Sequence, residues 1–114
     1  MVLSYIDPTH LRVTWEDPVT GKSHHHVQQF PIFIGRAPSI NNIVLDNAQV
    51  SRQHAQLTYQ EGQIIISDQE STNGIIVNGE RVKYAVLPSG SSFQIGPFTF
   101  TAVPWMSAPG TVRM

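Results

Sequence analysis

Short runs in which apolar and polar residues alternate recur along the chain, and turn residues separate them. The clearest run is His10–Glu16, where Leu11, Val13 and Trp15 share one face, as a half-buried strand requires. Further short runs that we interpret as strands occupy residues 23–29, 30–34, 43–45, 54–59, 63–68, 75–77, 91–95 and 98–103. Since no longer window has helical periodicity, the pattern predicts about ten strands in an all-β sandwich or barrel.

Glycine and proline mark the turns between these runs. Residues 17–22, 60–62 and 96–97 each contain glycine and lie between two predicted strands. Asn78-Gly79 is the strongest hairpin signal, because both central residues of a type I′ turn need positive φ.

The length of the chain and its missing residue types limit the classes of protein it can belong to. Its 114 residues suit one domain, and a hydrophobic content of 40% suits a packed core. We expect a lead-in at residues 1–10, the domain at 11–104 and a tail at 105–114. The absence of cysteine excludes disulfides and thiolate chemistry. With no signal peptide and no long apolar run, we expect a soluble cytoplasmic protein that contacts no membrane.

The charge is small overall but uneven. A net charge of −1 gives no general basic field, so we expect no nucleic-acid partner. Four of the seven cations, Arg36, Arg52, Arg81 and Lys83, fall in turn-like segments. A local positive site on a nearly neutral protein favours one small anion over a long polyanion.

Three short motifs stand at the ends of predicted strands. In chain order they are Gly35-Arg36, then Ser51-Arg52-Gln53-His54, then Ser71-Thr72-Asn73-Gly74 followed by Val77-Asn78-Gly79. Each is common by chance, but their order, spacing and placement in an all-β chain are specific in combination.

The stretch from Phe33 to Gly79, which begins FIGRAP and ends STNGIIVNG, resembles the signature region of forkhead-associated (FHA) domains. With the flanking strands, from about Leu11 to Val103, the resemblance covers about four fifths of the chain. It implies an eleven-stranded β-sandwich of two antiparallel sheets, of the FHA and SMAD-like type, with binding loops at one end. It also implies a monomeric, non-enzymatic module without cofactor or metal, whose partner is a phosphothreonine-containing protein or peptide.

The resemblance assigns five peptide-binding residues by position. Arg36 and Ser51 correspond to phosphate ligands, and Arg52 supplies a backbone N–H and a side chain. Thr72 corresponds to a further contact with the phosphothreonine, and Asn73 to a hydrogen bond with the peptide backbone.

Other positions are implied to support these loops or to depart from the family pattern. Gly35, His54 and Gly74 correspond to architectural residues. Ile75 stands where threonine is common in the family, and Asn42 where an acidic residue is frequent. Family resemblance also suggests that residues near Gln49 and in 78–83 sense the side chains that follow the phosphothreonine. Arg81 and Lys83 would then favour an acidic neighbour.

The chemistry of these residue types agrees with a phosphate site. The arginine fork can hold two phosphate oxygens, and a hydroxyl with backbone N–H groups completes a shell of donors. Each charge-assisted hydrogen bond contributes roughly 1.5–3 kcal/mol net. Three or four of them, less the cost of association, predict roughly micromolar binding. An asparagine amide suits a peptide backbone because it both donates and accepts.

Three alternatives compete with this interpretation. His24 and His26 share a strand face and could form half a metal site, although no acidic or thiol partner is apparent. Ser51, His54 and Asp68 supply the residue types of a hydrolase triad, but no nucleophile-elbow pattern surrounds the serine. The third alternative is a structural interaction sandwich that does not recognise phosphate.

Overall fold

The computed structural model describes residues 10–105, with Trp105 in its backbone only. Eleven strands account for the regular structure of this range, and it contains no helix that could cross a membrane. They are β1 (His10–Glu16), β2 (Ser23–Gln29), β3 (Ile32–Gly35), β4 (Ile43–Val44), β5 (Ala55–Gln60), β6 (Gln63–Asp68), β7 (Ile75–Val77), β8 (Glu80–Val82), β9 (Tyr84–Leu87), β10 (Ser92–Ile95) and β11 (Phe98–Trp105). The predicted lead-in and tail lie outside the described residues, except for His10 and Trp105.

The strands form two sheets, which confirms the predicted all-β sandwich. The six-stranded sheet has the order β2-β1-β11-β10-β7-β8, and the five-stranded sheet has the order β4-β3-β5-β6-β9. Strand β1 is an interior strand of the first sheet, and it pairs with β2 and with β11 over its whole length.

One pairing corrects the prediction that both sheets are antiparallel: β3 and β4 run parallel, with Ile34 opposite Ile43. The loop between them returns the chain to the start of β3. Asn42 Oδ1 accepts the Phe33 N–H at 2.7 Å, and the Asn42 N–H donates to the Phe33 carbonyl at 2.8 Å. The Leu45 N–H then donates to the Gly35 carbonyl at 2.9 Å. The two hydrogen bonds between Asn42 and the Phe33 backbone therefore hold the start of β4 beside β3, in the parallel direction.

The core lies between the sheets and follows the predicted alternation. Leu11 and Val13 are fully buried and Trp15 is partly buried on the same face of β1. Phe93 and Phe100 stack with ring centroids 5.0 Å apart. This burial of apolar side chains from both sheets holds the sandwich together.

The connections differ between the two ends of the sandwich. We call one end the loop end, which holds residues 36–42, 45–54, 69–74 and 96–97. The opposite end, the turn end, holds the hairpin connections 61–62, 78–79 and 88–91. The turn at Asn78-Gly79 has φ values of 53° and 81° and joins β7 to β8, as predicted.

Candidate functional site

Three loops meet at the loop end: the first loop (36–42), the second loop (45–54) and the third loop (69–74). The five residues with predicted binding roles are divided among them, with Arg36 in the first, Ser51 and Arg52 in the second, and Thr72 and Asn73 in the third. The Arg36 N–H donates to the Ser51 carbonyl at 2.9 Å, and the Thr72 N–H donates to Ser51 Oγ at 3.0 Å. The fold thus brings together residues that lie more than thirty positions apart in sequence.

Ser51 is the junction of these loops. Its carbonyl accepts from the first loop, its hydroxyl oxygen accepts from the third, and its own N–H donates to His54 Nδ1 at 3.0 Å. Because the hydroxyl oxygen is already an acceptor, its hydrogen remains available to donate to a ligand. Ser51 is partly exposed, so a ligand can reach it.

The Arg36 side chain is exposed but held in place. Its Nε donates to the Val50 carbonyl at 2.9 Å. A guanidinium has five N–H donors, so four remain beyond this bond. Fixing one donor orients the planar fork before any ligand arrives, which lowers the entropy lost on binding.

Gly35 is required by a close approach of the second loop. A Cβ added at Gly35 would lie 2.4 Å from the Arg52 carbonyl oxygen and within 3 Å of the Asn41 amide. Asn41 Nδ2 donates to the Ala37 and Arg52 carbonyls, each at 2.8 Å. Asn41 Oδ1 is buried and has no partner among the described residues. The Arg52 side chain is exposed, so its backbone supports the loops while its guanidinium faces solvent.

His54 is fully buried and joins the second and third loops. Its Nδ1 accepts the Ser51 N–H, and its Nε2 donates to the Gly74 carbonyl at 2.7 Å. This pattern fixes one tautomer, with the hydrogen on Nε2. Since both ring nitrogens contact backbone atoms, His54 is not placed to take a proton from the Ser51 hydroxyl. The third triad residue, Asp68, instead accepts hydrogen bonds from Ser71, so the hydrolase alternative lacks its geometry.

The third loop is shaped by a buried serine that the sequence analysis did not assign a role. Ser71 is 8% exposed; its hydroxyl donates to Asp68 and accepts the Gly74 N–H at 2.9 Å. The spacing Asp-x-x-Ser at the end of a strand is the only signal for this turn in the sequence. Gly74 adopts φ +77°, a region that L side chains rarely occupy.

Arg81 covers the same loop from β8. A Cβ at Gly74 would lie 2.3 Å from Arg81 Nε, and an Arg81 terminal nitrogen donates to the Thr72 carbonyl at 3.3 Å. Asn73 is exposed, and its Nδ2 donates to the Gln49 carbonyl at 2.9 Å. Its amide oxygen therefore remains an acceptor for a ligand backbone.

Two other sequence features lie away from these contacts. Ile75, the departure from the family pattern, is fully buried in β7 and belongs to the core. His24 stacks on Trp15 with centroids 5.4 Å apart, and His26 Nε2 lies 3.0 Å from Gln28 Oε1. Within residues 10–105 no group of three or more metal-ligating side chains is present.

The arrangement as a whole presents donors for an anion beside an amide for a peptide. Arg36 and Ser51 supply charged and hydroxyl donors, the loops add backbone N–H groups, and Asn73 supplies the amide. These groups come from three loops whose relative positions are fixed by hydrogen bonds between them.

Comparison with known proteins gives a consistent family assignment. The family model of the FHA domain matches residues 32–96. The glycogen accumulation regulator GarA of Mycolicibacterium smegmatis is 44% identical over 64 residues, which are 56% of this chain and 40% of that protein. The oxoglutarate dehydrogenase inhibitor of Corynebacterium diphtheriae is also 44% identical over 64 residues, 44% of its length. The chain thus spans about two fifths of the length of these curated relatives.

Solved structures share the fold. EmbR of Mycobacterium tuberculosis, in complex with a low-affinity phosphopeptide, superposes with a TM-score of 0.68 at 31% identity, over 87% of this chain and 26% of that one. The FHA domain of a hypothetical protein from Arabidopsis thaliana superposes with a TM-score of 0.71 at 24% identity, over 91% and 92% of the two chains.

Proposed function

Because the chain belongs to the FHA domain family, as the match over residues 32–96 shows, we propose that it is a phosphothreonine-dependent protein-interaction module. It acts in kinase signalling by binding phosphorylated segments of a partner protein. The domain comprises residues 11–104, and the ligand-binding residues are Arg36, Ser51, Arg52, Thr72 and Asn73. Gly35, His54 and Gly74 support the loops that carry them.

One observation carries this proposal: the donor side chains of Arg36 and Ser51, which come from separate loops, are each held by a hydrogen bond to loop backbone. Arg36 is held by the Val50 carbonyl, and the Ser51 hydroxyl is held by the Thr72 N–H, which leaves its hydrogen to donate. A phosphate with three terminal oxygens can accept from both and from loop N–H groups at once. A preformed set of donors of this kind is what a compact dianion requires.

The relatives support the same ligand class and a non-catalytic role. The EmbR structure contains a phosphopeptide, and two relatives are named as a regulator and an inhibitor. We extend both properties to this chain: it binds a phosphopeptide, and it changes the activity of a partner by binding rather than by catalysis. His54 fits this role, since both of its ring nitrogens are bonded to loop backbone.

The test is calorimetric titration with one peptide sequence made in four versions: phosphothreonine, phosphoserine, aspartate and unmodified threonine. We expect roughly micromolar binding of the first and up to tenfold weaker binding of the second. The γ-methyl of threonine restricts χ1, so less rotamer freedom is lost, and burying it adds about 0.8 kcal/mol.

Aspartate and unmodified threonine should not bind measurably. A carboxylate is planar and carries one charge, so it cannot satisfy Arg36, Ser51 and the loop N–H groups together. Equal affinity for the three anionic peptides would indicate a nonspecific electrostatic patch and would contradict the proposal. Equal binding of all four would favour an interaction sandwich without phosphate recognition.

A further inference from the structure

The outer faces of the two sheets differ in chemistry. On the six-stranded sheet, β1 and β11 present mainly hydroxyl and charged side chains, such as Thr14, Glu16 and Thr99. On the five-stranded sheet, β9 presents Tyr84, which is 71% exposed, and Val86, which is 45% exposed. Apolar side chains exposed together on one strand are typical of an interaction surface.

Strand β9 also has a free edge. It closes the five-stranded sheet, and among the described residues it pairs only with β6. Its four residues, Tyr-Ala-Val-Leu, include no charge and no proline, the features that usually protect an edge from pairing. Of the other edges, β4 has two residues and β8 has three that include Glu80 and Arg81, while β2 is seven residues of mostly polar side chains.

The edge leads to an apolar cavity at the turn end. Its volume is about 330 Å³, and its walls include Tyr59, Ile64, Val86, Leu87 and Pro104. A chain extended along β9 would therefore pass from the exposed Tyr84 to this cavity. Over four residues that distance is ~13 Å.

The other end of β9 adjoins the phosphothreonine site through the backbone. The Asp68 N–H donates to the Lys83 carbonyl at 2.8 Å, and Lys83 directly precedes Tyr84. Asp68 in turn holds Ser71, the neighbour of Thr72. The start of β9 therefore lies beside the third loop, which carries Thr72.

From this continuity we infer that the edge of β9 is a second docking surface for the phosphorylated partner. This inference rests on the proposed function of the loops. A segment of the partner chain near its phosphothreonine adds a strand beside β9. Its alternate apolar side chains cover Tyr84 and Val86, and one bulky apolar side chain enters the cavity.

A strand added to this edge would make two kinds of contact, one through its main chain and one through its side chains. Main-chain hydrogen bonds to β9 give affinity, and pockets for alternate side chains give sequence selectivity. The surface alone is too small for a stable complex, since standard interfaces bury ~1,600 Å². Once the phosphothreonine is bound, however, the tethered segment is present at an effective concentration on the order of millimolar. Weak contacts then raise the total affinity.

The experiment is calorimetry with synthetic peptides of one phosphothreonine core. Two peptides carry the segment Val-Ser-Val-Ser-Leu, which a Gly-Ser spacer of about four residues separates from the core. One has the segment on the carboxyl side of the core, and the other has it on the amino side. Two control peptides have serine in place of each apolar residue of the segment. We expect the apolar segment, on one of the two sides, to raise affinity at least tenfold over its serine counterpart.

The variant Val86→Lys places a charge on the outer face of β9 and should abolish this gain. Its control is Val27→Lys, which adds the same charge to an outward position, 38% exposed, on the β2 edge of the other sheet. Both variants should bind the unextended core as the parent protein does. Tyr84→Ser, at the more exposed position, gives a second variant if Val86→Lys fails to fold.

Three results would overturn the inference while the proposed function stands. The first two are a gain in affinity below about twofold on both sides, and a gain that survives both β9 variants. A gain lost equally in Val27→Lys would also overturn it, because the effect would then come from charge rather than from β9. If the phosphothreonine core itself does not bind, the proposed function fails, and this inference fails with it.

Discussion

The two ends of the sandwich are built by different means. At the turn end two of the connections are tight hairpin turns that close on themselves: Glu61 and Gly62 have φ values of 52° and 82°, and Asn78 and Gly79 have 53° and 81°. At the loop end the bonds cross between loops. His54 reaches Gly74 over 20 positions of sequence, and the hydrogen bond of the Asn73 side chain to the second loop spans 24.

This difference predicts two kinds of response to substitution. A change at the turn end alters a local backbone preference, so it should reduce stability without changing ligand affinity. A change at the loop end removes a bond that also positions donors, so stability and affinity should fall together. Only a residue that faces solvent at the loop end should change affinity alone. The following variants test these expectations, beginning with the largest effect.

His54→Ala should have the largest effect on stability. It leaves the Ser51 N–H and the Gly74 carbonyl without their partner in a buried site and opens a cavity. We expect the free energy of unfolding to fall by about 3 kcal/mol. Chemical denaturation measures it, and phosphopeptide affinity should decrease only through the loosened loops. His25→Ala, at an exposed position of β2, is the control. An unchanged unfolding free energy with complete loss of binding would instead mark His54 as a direct ligand.

Two glycine substitutions compare the ends directly. Gly79→Ala meets no atom within 4 Å, so only the positive φ is penalised, at about 1 kcal/mol. Gly74→Ala carries the same backbone penalty and also displaces Arg81, so we expect about 2 kcal/mol and weaker binding. Denaturation and calorimetry on both variants provide the test. If Gly74→Ala kept full phosphopeptide affinity, the third loop would not depend on Arg81 for its position.

Arg36→Ala should separate affinity from stability. Its side chain is exposed, so we expect little change in the melting temperature and at least tenfold weaker phosphopeptide binding, about 1.4 kcal/mol. Arg36→Lys should restore part of the affinity, because an ammonium keeps the charge but loses the fork. Lys22→Ala, an exposed cation of the 17–22 turn, is the control for net charge. Wild-type affinity in Arg36→Ala would show that the phosphate binds elsewhere.

The same division between local and distant contacts explains what the sequence could predict. Strands with regular alternation were predicted with their observed bounds, as for His10–Glu16, Ser23–Gln29 and Gln63–Asp68. The Asn78-Gly79 turn followed from its own backbone requirement. Each of these signals lies within a few consecutive residues, so no tertiary information is needed to recognise it.

Two strands, β8 and β9, were missed. Glu80–Val82 is too short to show alternation, and β9 is apolar on both faces because Tyr84 and Val86 point to solvent. The parallel pairing of β3 with β4 was missed for another reason. It depends on Asn42 contacting the backbone of Phe33, nine positions earlier, which no local pattern encodes.

The candidate site, like the strands, could be predicted from the sequence only in part. Family resemblance brought together Arg36, Ser51 and Thr72, and the fold places their loops in contact. Asn41 was not assigned a role, because its partners are the backbone carbonyls of Ala37 and Arg52. Ser71 was also not assigned one, since the short Asp-x-x-Ser spacing was its only signal and its other partner is the Gly74 backbone N–H. Side chains that act by supporting distant backbone leave no characteristic pair of residue types in a single sequence.

The smallest predicted effect concerns pH, and it acts on the ligand at the loop end. The second pKa of a phosphate monoester is about 6, so lowering the pH from 7.5 to 5.5 converts most of the dianion to the monoanion. Protonation removes one charge and adds an O–H group where Arg36 and Ser51 offer donors only. Affinity should therefore fall by roughly fourfold, in proportion to the remaining dianion. Calorimetry at both pH values measures this change, and melting temperatures in the same buffers establish that the domain stays folded. Gly79→Ala should show the same pH dependence as the parent protein, because its change lies at the turn end. An affinity that stays constant over this range, with the domain folded, would mean that the loops do not distinguish a dianion from a monoanion, and the donors that the loop end holds in place would then need a different ligand.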